Sequence, residues 1–129
     1  MTEILFVRHG QTEANTQGRW QGWTDLPLDP AGQAQAEAVA RRLALEQSYI
    51  KAIYTSPLHR ALQTARIVGK RLSIVPQILE QLREIHFGKL EGATLREMET
   101  RFPELYVQWQ DKTDMAFQWP GGERRADFF

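Results

Sequence analysis

Cysteine is absent from the 129 residues. That excludes a disulfide framework, a thiolate nucleophile and thiolate metal ligands, and it fits a reducing compartment. Charge of one sign is missing too, since 16 Lys+Arg balance 16 Asp+Glu. The chain therefore has no global field to draw in nucleic acid or an anionic membrane, and any anion site must be built locally. No apolar stretch approaches the ~20 residues needed to cross a bilayer. Met1–Thr2–Glu3 leads straight into a short apolar run, without the basic and apolar regions of a signal peptide. The expectation is a soluble cytoplasmic protein with neither nucleic-acid nor membrane partners. What is present is ordinary for a globular fold: 42% hydrophobic and 25% charged residues, which argues against disorder. The length suits one domain over residues 1–129.

Local patterns place the elements. Ile4–Leu5–Phe6–Val7 is a continuous apolar run ending at Arg8–His9–Gly10, which suits a strand buried on both faces of a parallel sheet. Asp29 with Pro30 behind it is a cap-plus-proline start for a helix through Leu45, with Ala36, Val39, Ala40 and Leu43 on one face. Ile50–Tyr54 is a second β-type run. Ser56–Pro57 repeats the cap-plus-proline signal, and Leu58, Ala61, Leu62, Ala65, Val68 and Leu72 trace the apolar face of the helix that follows. Leu72–Val75 is a weaker third strand candidate, stopped by Pro76. Strand, helix, strand, helix, strand is the pattern of an α/β sheet with right-handed crossovers. Thr94 and Glu97 have capping-box spacing for a helix through about Arg101, and Pro103 starts another. Residues 111–122 read as loop.

The densest chemical signal is Arg8–His9–Gly10–Gln11–Thr12–Glu13–Ala14–Asn15, directly after the first apolar run. Ligands of open α/β sheets sit beyond the carboxyl ends of strands, where this segment lies. Arg8 offers a planar fork of donors for phosphate or carboxylate oxygens. His9 carries an imidazole able to act as nucleophile or acid/base near neutral pH. Gly10 allows a tight turn and close approach of a ligand. Thr12 and Asn15 add neutral hydrogen bonds. Alone, Arg-His-Gly reads equally well as a surface turn, Arg60 as a solvated helix charge and Glu84 as a surface carboxylate.

Four ordered segments change that balance. Residues 5–15, Gln21–Gly22–Trp23–Thr24–Asp25–Leu26–Pro27–Leu28, Ser56–Pro57–Leu58–His59–Arg60–Ala61–Leu62–Gln63–Thr64–Ala65, and Leu82–Arg83–Glu84–Ile85–His86–Phe87–Gly88–Lys89–Leu90–Glu91–Gly92 resemble successive signatures of the histidine phosphatase superfamily, the phosphoglycerate mutase-like proteins. The resemblance implies an α/β three-layer sandwich, a mostly parallel sheet flanked by helices. It implies that His9 becomes a phosphohistidine and that Arg8 and Arg60 hold the phosphoryl oxygens, with Asn15 in the same pocket. Glu84 would protonate the leaving oxygen, and Gln21 and Gly22 would line the substrate mouth. No metal and no cofactor are called for, and the partner is a small phosphorylated metabolite. The chemistry asks for the same residue types: phosphoryl transfer needs positioned cations, imidazole attack splits one displacement into two, and an alkoxide leaving group needs a proton.

The resemblance also sets limits. Family members continue beyond a Gly-Gly-Glu segment to a second His in the phosphate pocket. Here Gly121–Gly122–Glu123 is followed by Arg124–Arg125–Ala126–Asp127–Phe128–Phe129, and neither His59 nor His86 occupies that second position. The fold is thus expected to be C-terminally incomplete, with 111–129 as loop and non-family tail, activity reduced and an exposed sheet edge open to oligomer formation. Trp109 and Trp119 are expected to pack. Trp20 and Trp23 sit near the mouth, although aromatics of that size more often pack than act. The residues around Glu84 look like the phosphatase branch, and residues 117–123 are similar to α-ribazole phosphatases. Alternatives are a cofactor-dependent phosphoglycerate mutase and a non-catalytic phosphate-binding fragment.

Overall fold

The computed structural model describes residues 1–46 and 49–129. The chain forms two compact units, Met1–Thr12 with Pro27–Leu82 and Glu13–Leu26 with Arg83–Phe129.

The first unit is the α/β part. Strands β1 (Tyr54–Thr55) and β2 (Gln77–Ile78) pair in parallel, Tyr54 opposite Gln77 and Thr55 opposite Ile78. The connection between them carries a helix, His59–Leu72, as parallel pairing requires. A second long helix, Pro30–Glu46, packs against it. The helix at Pro30 starts where the sequence places it: the Gly32 N–H donates to Asp29 Oδ1 at 2.7 Å, satisfying an orphan donor of the first turn. Gln11 Nε2 donates to Asp29 Oδ2 at 2.9 Å. The Gly32 N–H, followed by the Gln11 amide, holds the Asp29 carboxyl below its ordinary pKa. The small residues Ala36 and Ala40 on one helix and Ala65 and Val68 on the other are buried. At the N-terminal end of the Pro30 helix two glycines meet: a Cβ on Gly10 would lie 2.3 Å from the Gly32 carbonyl oxygen, and one on Gly32 2.1 Å from that of Gln11.

Three expectations need correction in this unit. Ile4–Val7 is not a strand, and its side chains are exposed, Phe6 at 95%. A β-type run becomes a strand only when a neighbouring backbone takes up its N–H and C=O groups, which composition alone does not supply. Leu72–Val75 is not a strand either. Ser73 adopts the left-handed conformation, φ 57°, to close the helix on the Gly69 carbonyl, and Ile74 donates to the same oxygen. The ladder is made by Gln77 and Leu79, whose N–H groups donate to Ile53 and Thr55, so pairing begins only after Pro76, which has no donor. Finally, Ser56–Pro57 is not the helix start. Leu58 is the N-cap, still extended at ψ 133°, and its carbonyl accepts from Ala61 and Leu62.

The second unit is helical around an aromatic core. It opens with α1 (Glu13–Thr16), and numbering the helices in chain order makes Pro30–Glu46 α2 and His59–Leu72 α3. The Thr94 capping box forms as its spacing predicts, with Glu97 N–H to Thr94 Oγ1 at 3.1 Å and Thr94 N–H to Glu97 Oε2 at 2.8 Å. It opens α4 (Leu95–Arg101), followed by α5 (Pro103–Gln110) with its proline in the first turn. Ile85, Leu90, Met98, Phe117 and Trp119 form the buried core. Trp20 packs edge-on against Trp119 at 4.9 Å and contacts Phe87 and Trp109, so its role is packing. Residues 111–122 lack helix and strand, but the expected tail is integrated. Arg125–Phe128 is a short helix, α6. The buried Arg125 guanidinium donates to the carbonyls of Trp109, Asp111 and Asp114 at 3.0, 2.6 and 3.1 Å.

Candidate functional site

In the first unit, His9 is half-buried and its Nδ1 lies 2.7 Å from the Gly10 carbonyl oxygen. A carbonyl only accepts, so Nδ1 carries the proton, and in the neutral ring Nε2 carries the lone pair. The same glycine's N–H donates to Thr64 Oγ1 at 3.0 Å, and Thr64 Oγ1 donates to the Arg60 carbonyl at 2.7 Å. Thr64 is one turn beyond Arg60 on α3, so a single buried hydroxyl fastens the His9–Gly10 peptide to the helical turn that carries Arg60. Arg60 itself is only 4% exposed. A guanidinium buried to that degree is not a solvated helix charge, because its desolvation must be offset by partners. It sits in the first turn of α3, where the helix dipole favours an anion. Arg8 is exposed.

In the second unit, Asn15 is half-buried on α1. Gln21 and Gly22 are buried within a turn closed by the Thr24 N–H donating to the Gln21 carbonyl at 2.8 Å. Gly22 has φ +55°, and a Cβ there would meet Glu91 Oε1 at 2.5 Å, so both conformation and space require glycine. Glu84 is exposed. Its Oε1 accepts from the Ile85 N–H at 2.8 Å, and its carbonyl accepts from the Trp23 indole N–H at 2.8 Å. His59 is exposed, whereas His86 is half-buried, with Nε2 3.7 Å from Glu91 Oε1 and its ring edge-on to Trp23.

Two residues with evident structural purpose were missed by sequence reasoning. Thr64 could have been suspected from its place four residues after Arg60, on the same helix face. Glu91 carries no such signal, because its partners lie about 70 residues earlier. Among the described residues, no group of three or more His, Asp or Glu is placed to hold a metal ion, and no helix is long and apolar enough to cross a membrane.

Comparison with known proteins follows the same lines. The model of the histidine phosphatase superfamily (branch 1) matches residues 4–129, so Arg124–Phe129 fall inside the matched range. The chain is 37% identical over 127 residues to phosphoglycerate mutase-like protein 4 of Arabidopsis thaliana, covering 97% of this chain and 54% of that protein. It is 39% identical over 124 residues to the glucosyl-3-phosphoglycerate phosphatase of Mycolicibacterium vanbaalenii, covering 96% and 53%. Among solved structures, a mycobacterial glucosyl-3-phosphoglycerate phosphatase complexed with VO3 superposes with TM-score 0.82 at 34% identity, covering 93% of this chain and 58% of that one. A putative α-ribazole-5′-P phosphatase from Escherichia coli gives 0.83 at 30%, covering 95% and 59%. The chain spans about half the length of the curated relatives it matches. With its ordered motifs and its α/β fold built on a parallel sheet, the chain belongs to branch 1 of the histidine phosphatase superfamily.

Proposed function

We propose that this chain carries the nucleophile of a phosphomonoesterase that acts on a small phosphorylated metabolite through a phosphohistidine. The observation that carries the reading is the His9 Nδ1–H bond to the Gly10 carbonyl, which makes Nε2 the nitrogen with the lone pair in the neutral ring. Arg8 and Arg60 bind the phosphoryl oxygens in this scheme, and Asn15 adds a neutral donor. Nε2 attacks phosphorus as the ester P–O bond breaks, and Glu84 delivers its proton to the departing alkoxide. Water then attacks the phosphohistidine, losing a proton to Glu84, the N–P bond breaks and inorganic phosphate leaves. The protein supplies position and positive charge, as phosphoryl transfer demands. Gln21 and Gly22 border the alcohol half of the substrate.

α-Ribazole 5′-phosphate is the proposed substrate, supported by the similarity of residues 117–123 to that phosphatase group and by the Escherichia coli structural neighbour. By the motif resemblance, the family's second imidazole corresponds to neither His59 nor His86. Turnover by these 129 residues is therefore proposed to lie below that of full-length relatives by about 10²-fold, the scale of one lost oxyanion donor. The test is rapid-quench trapping of radiolabelled phosphate, with α-ribazole 5′-phosphate, glucosyl-3-phosphoglycerate and phosphoserine as candidate donors. Label on wild-type protein and none on His9→Ala supports the reading. Label retained by His9→Ala, or absent from the wild type with every ester, refutes it. Release of inorganic phosphate separates hydrolysis from interconversion of phosphoglycerates, which marks a mutase.

A further inference from the structure

Glu84 sits in a segment with neither helix nor strand, and it is exposed, so no regular backbone ladder sets its place. Two hydrogen bonds on its own residue do: Ile85 N–H to its Oε1, and the Trp23 indole N–H to its carbonyl. Trp23 in turn is held from both sides. The Arg83 guanidinium lies 4.8 Å over its ring and the His86 ring abuts it edge-on at 4.6 Å. Its main-chain N–H donates to Glu91 Oε1 at 2.7 Å, while the Thr24 hydroxyl donates to Glu91 Oε2 at 2.8 Å. Glu91 has a side chain only 17% exposed. A carboxylate so withdrawn from water is costly unless its oxygens are bonded, and both of them grip one turn, Gln21–Thr24. That carboxylate also takes the space of a side chain at Gly22, where a Cβ would lie 2.5 Å from Glu91 Oε1.

We propose that Glu91 and Trp23 are positioning residues: Glu91 clamps the Gln21–Thr24 turn, and the Trp23 indole fixes the backbone of Glu84 for proton delivery. The inference rests on the role given to Glu84 above. It predicts that the step forming the phosphohistidine is impaired only for substrates whose leaving group needs a proton, since hydrolysis of the phosphohistidine is common to all substrates. An aryl phosphate departs without one, whereas an alkyl phosphate does not.

The experiment compares wild type, Glu91→Gln, Trp23→Phe and, as reference, Glu84→Gln on p-nitrophenyl phosphate and glycerol 2-phosphate. Gln at position 91 keeps one acceptor and loses the other, and Phe at 23 keeps the ring but not the N–H. Both variants are expected to lose about tenfold or more in kcat/KM, which reads phosphohistidine formation, on the alkyl ester while changing little in kcat/KM on the aryl ester. Glu84→Gln should show the same pattern more strongly, about 10²–10⁴-fold. A parallel loss on both esters, or an unchanged ratio between them, overturns the proposal, since a purely structural role lowers both together. The readout free of turnover is the ¹³C shift of the Glu84 carbonyl and carboxyl carbons, expected to move in Glu91→Gln; identical shifts overturn the positioning role. Wild-type protein that hydrolyses neither ester refutes the phosphatase reading, while the carbon shifts still decide whether Glu91 acts on Glu84.

Discussion

Thr64→Val isolates what one hydroxyl does for both the fold and the nucleophile. The side chain is 4% exposed and its shape is nearly that of valine. Its oxygen accepts from the Gly10 N–H and donates to the Arg60 carbonyl. Valine leaves the buried Gly10 donor without that acceptor, a loss of about 1–3 kcal/mol. The added methyl returns about 0.8 kcal/mol of burial, so the net destabilisation is about 0.5–2 kcal/mol. At roughly 3–5 °C per kcal/mol for a chain of this length, Tm should fall by about 2–10 °C in a circular-dichroism melt. Thr64→Ser keeps both bonds and loses only a methyl, at a cost of about 1 kcal/mol. Stability alone could leave these two variants close. Kinetics separates them: releasing the Gly10 peptide lets His9 drift, and phosphohistidine formation should slow by about tenfold or more in Thr64→Val and stay near wild type in Thr64→Ser. If valine preserves the rate while serine lowers it, packing rather than the hydroxyl holds the nucleophile, and the reasoning fails.

Gly10→Ala and Gly32→Ala should each destabilise the first unit by at least about 1–3 kcal/mol, because each new Cβ meets backbone rather than a movable side chain; urea midpoints measure this, and a wild-type midpoint in either would contradict the close approach. Arg125→Ala removes the donor to three main-chain carbonyls, one at the end of α5 and two in the loop beyond it, and should cost at least about 2 kcal/mol, with Arg125→Lys restoring only part because an ammonium lacks the planar fork. The Thr94 N–H, together with the nearby Arg19 guanidinium, holds the Glu97 carboxyl below its ordinary value of 4.5. A carboxyl depressed in the folded state stabilises it above the unfolded pKa, and that contribution is lost as pH falls through the folded value. The Tm advantage of wild type over Glu97→Gln should therefore be full at neutral pH and shrink below about pH 4.5; a gap that widens on acidification would reverse the assigned sign.

How much was legible in advance depended on the distance over which each interaction acts. The Asp29 cap, the Thr94–Glu97 box and the proline start of α5 are bonds or dihedral restrictions within three residues, so composition and spacing specify them. The order of the phosphatase motifs, and with it the family, was equally readable, because it depends on which residues are present and in what succession. Strand pairing was not. Ile4–Val7 and Leu72–Val75 have β-type composition, yet ladder bonds formed instead at Gln77 and Leu79, because a strand exists only where another backbone lies alongside. Nor did any local pattern announce that Arg60 would be buried, that Thr64 would join its helix to the His9–Gly10 peptide, or that Trp23 would reach the Glu84 carbonyl 61 residues away. The amino-acid sequence by itself determined the starts of α2, α4 and α5 and the chemical inventory. Tertiary structure alone decided which side chains hold the His9–Gly10 peptide and the Glu84 backbone, because those outcomes rest on long-range contacts whose entropic cost only the folded chain has already met.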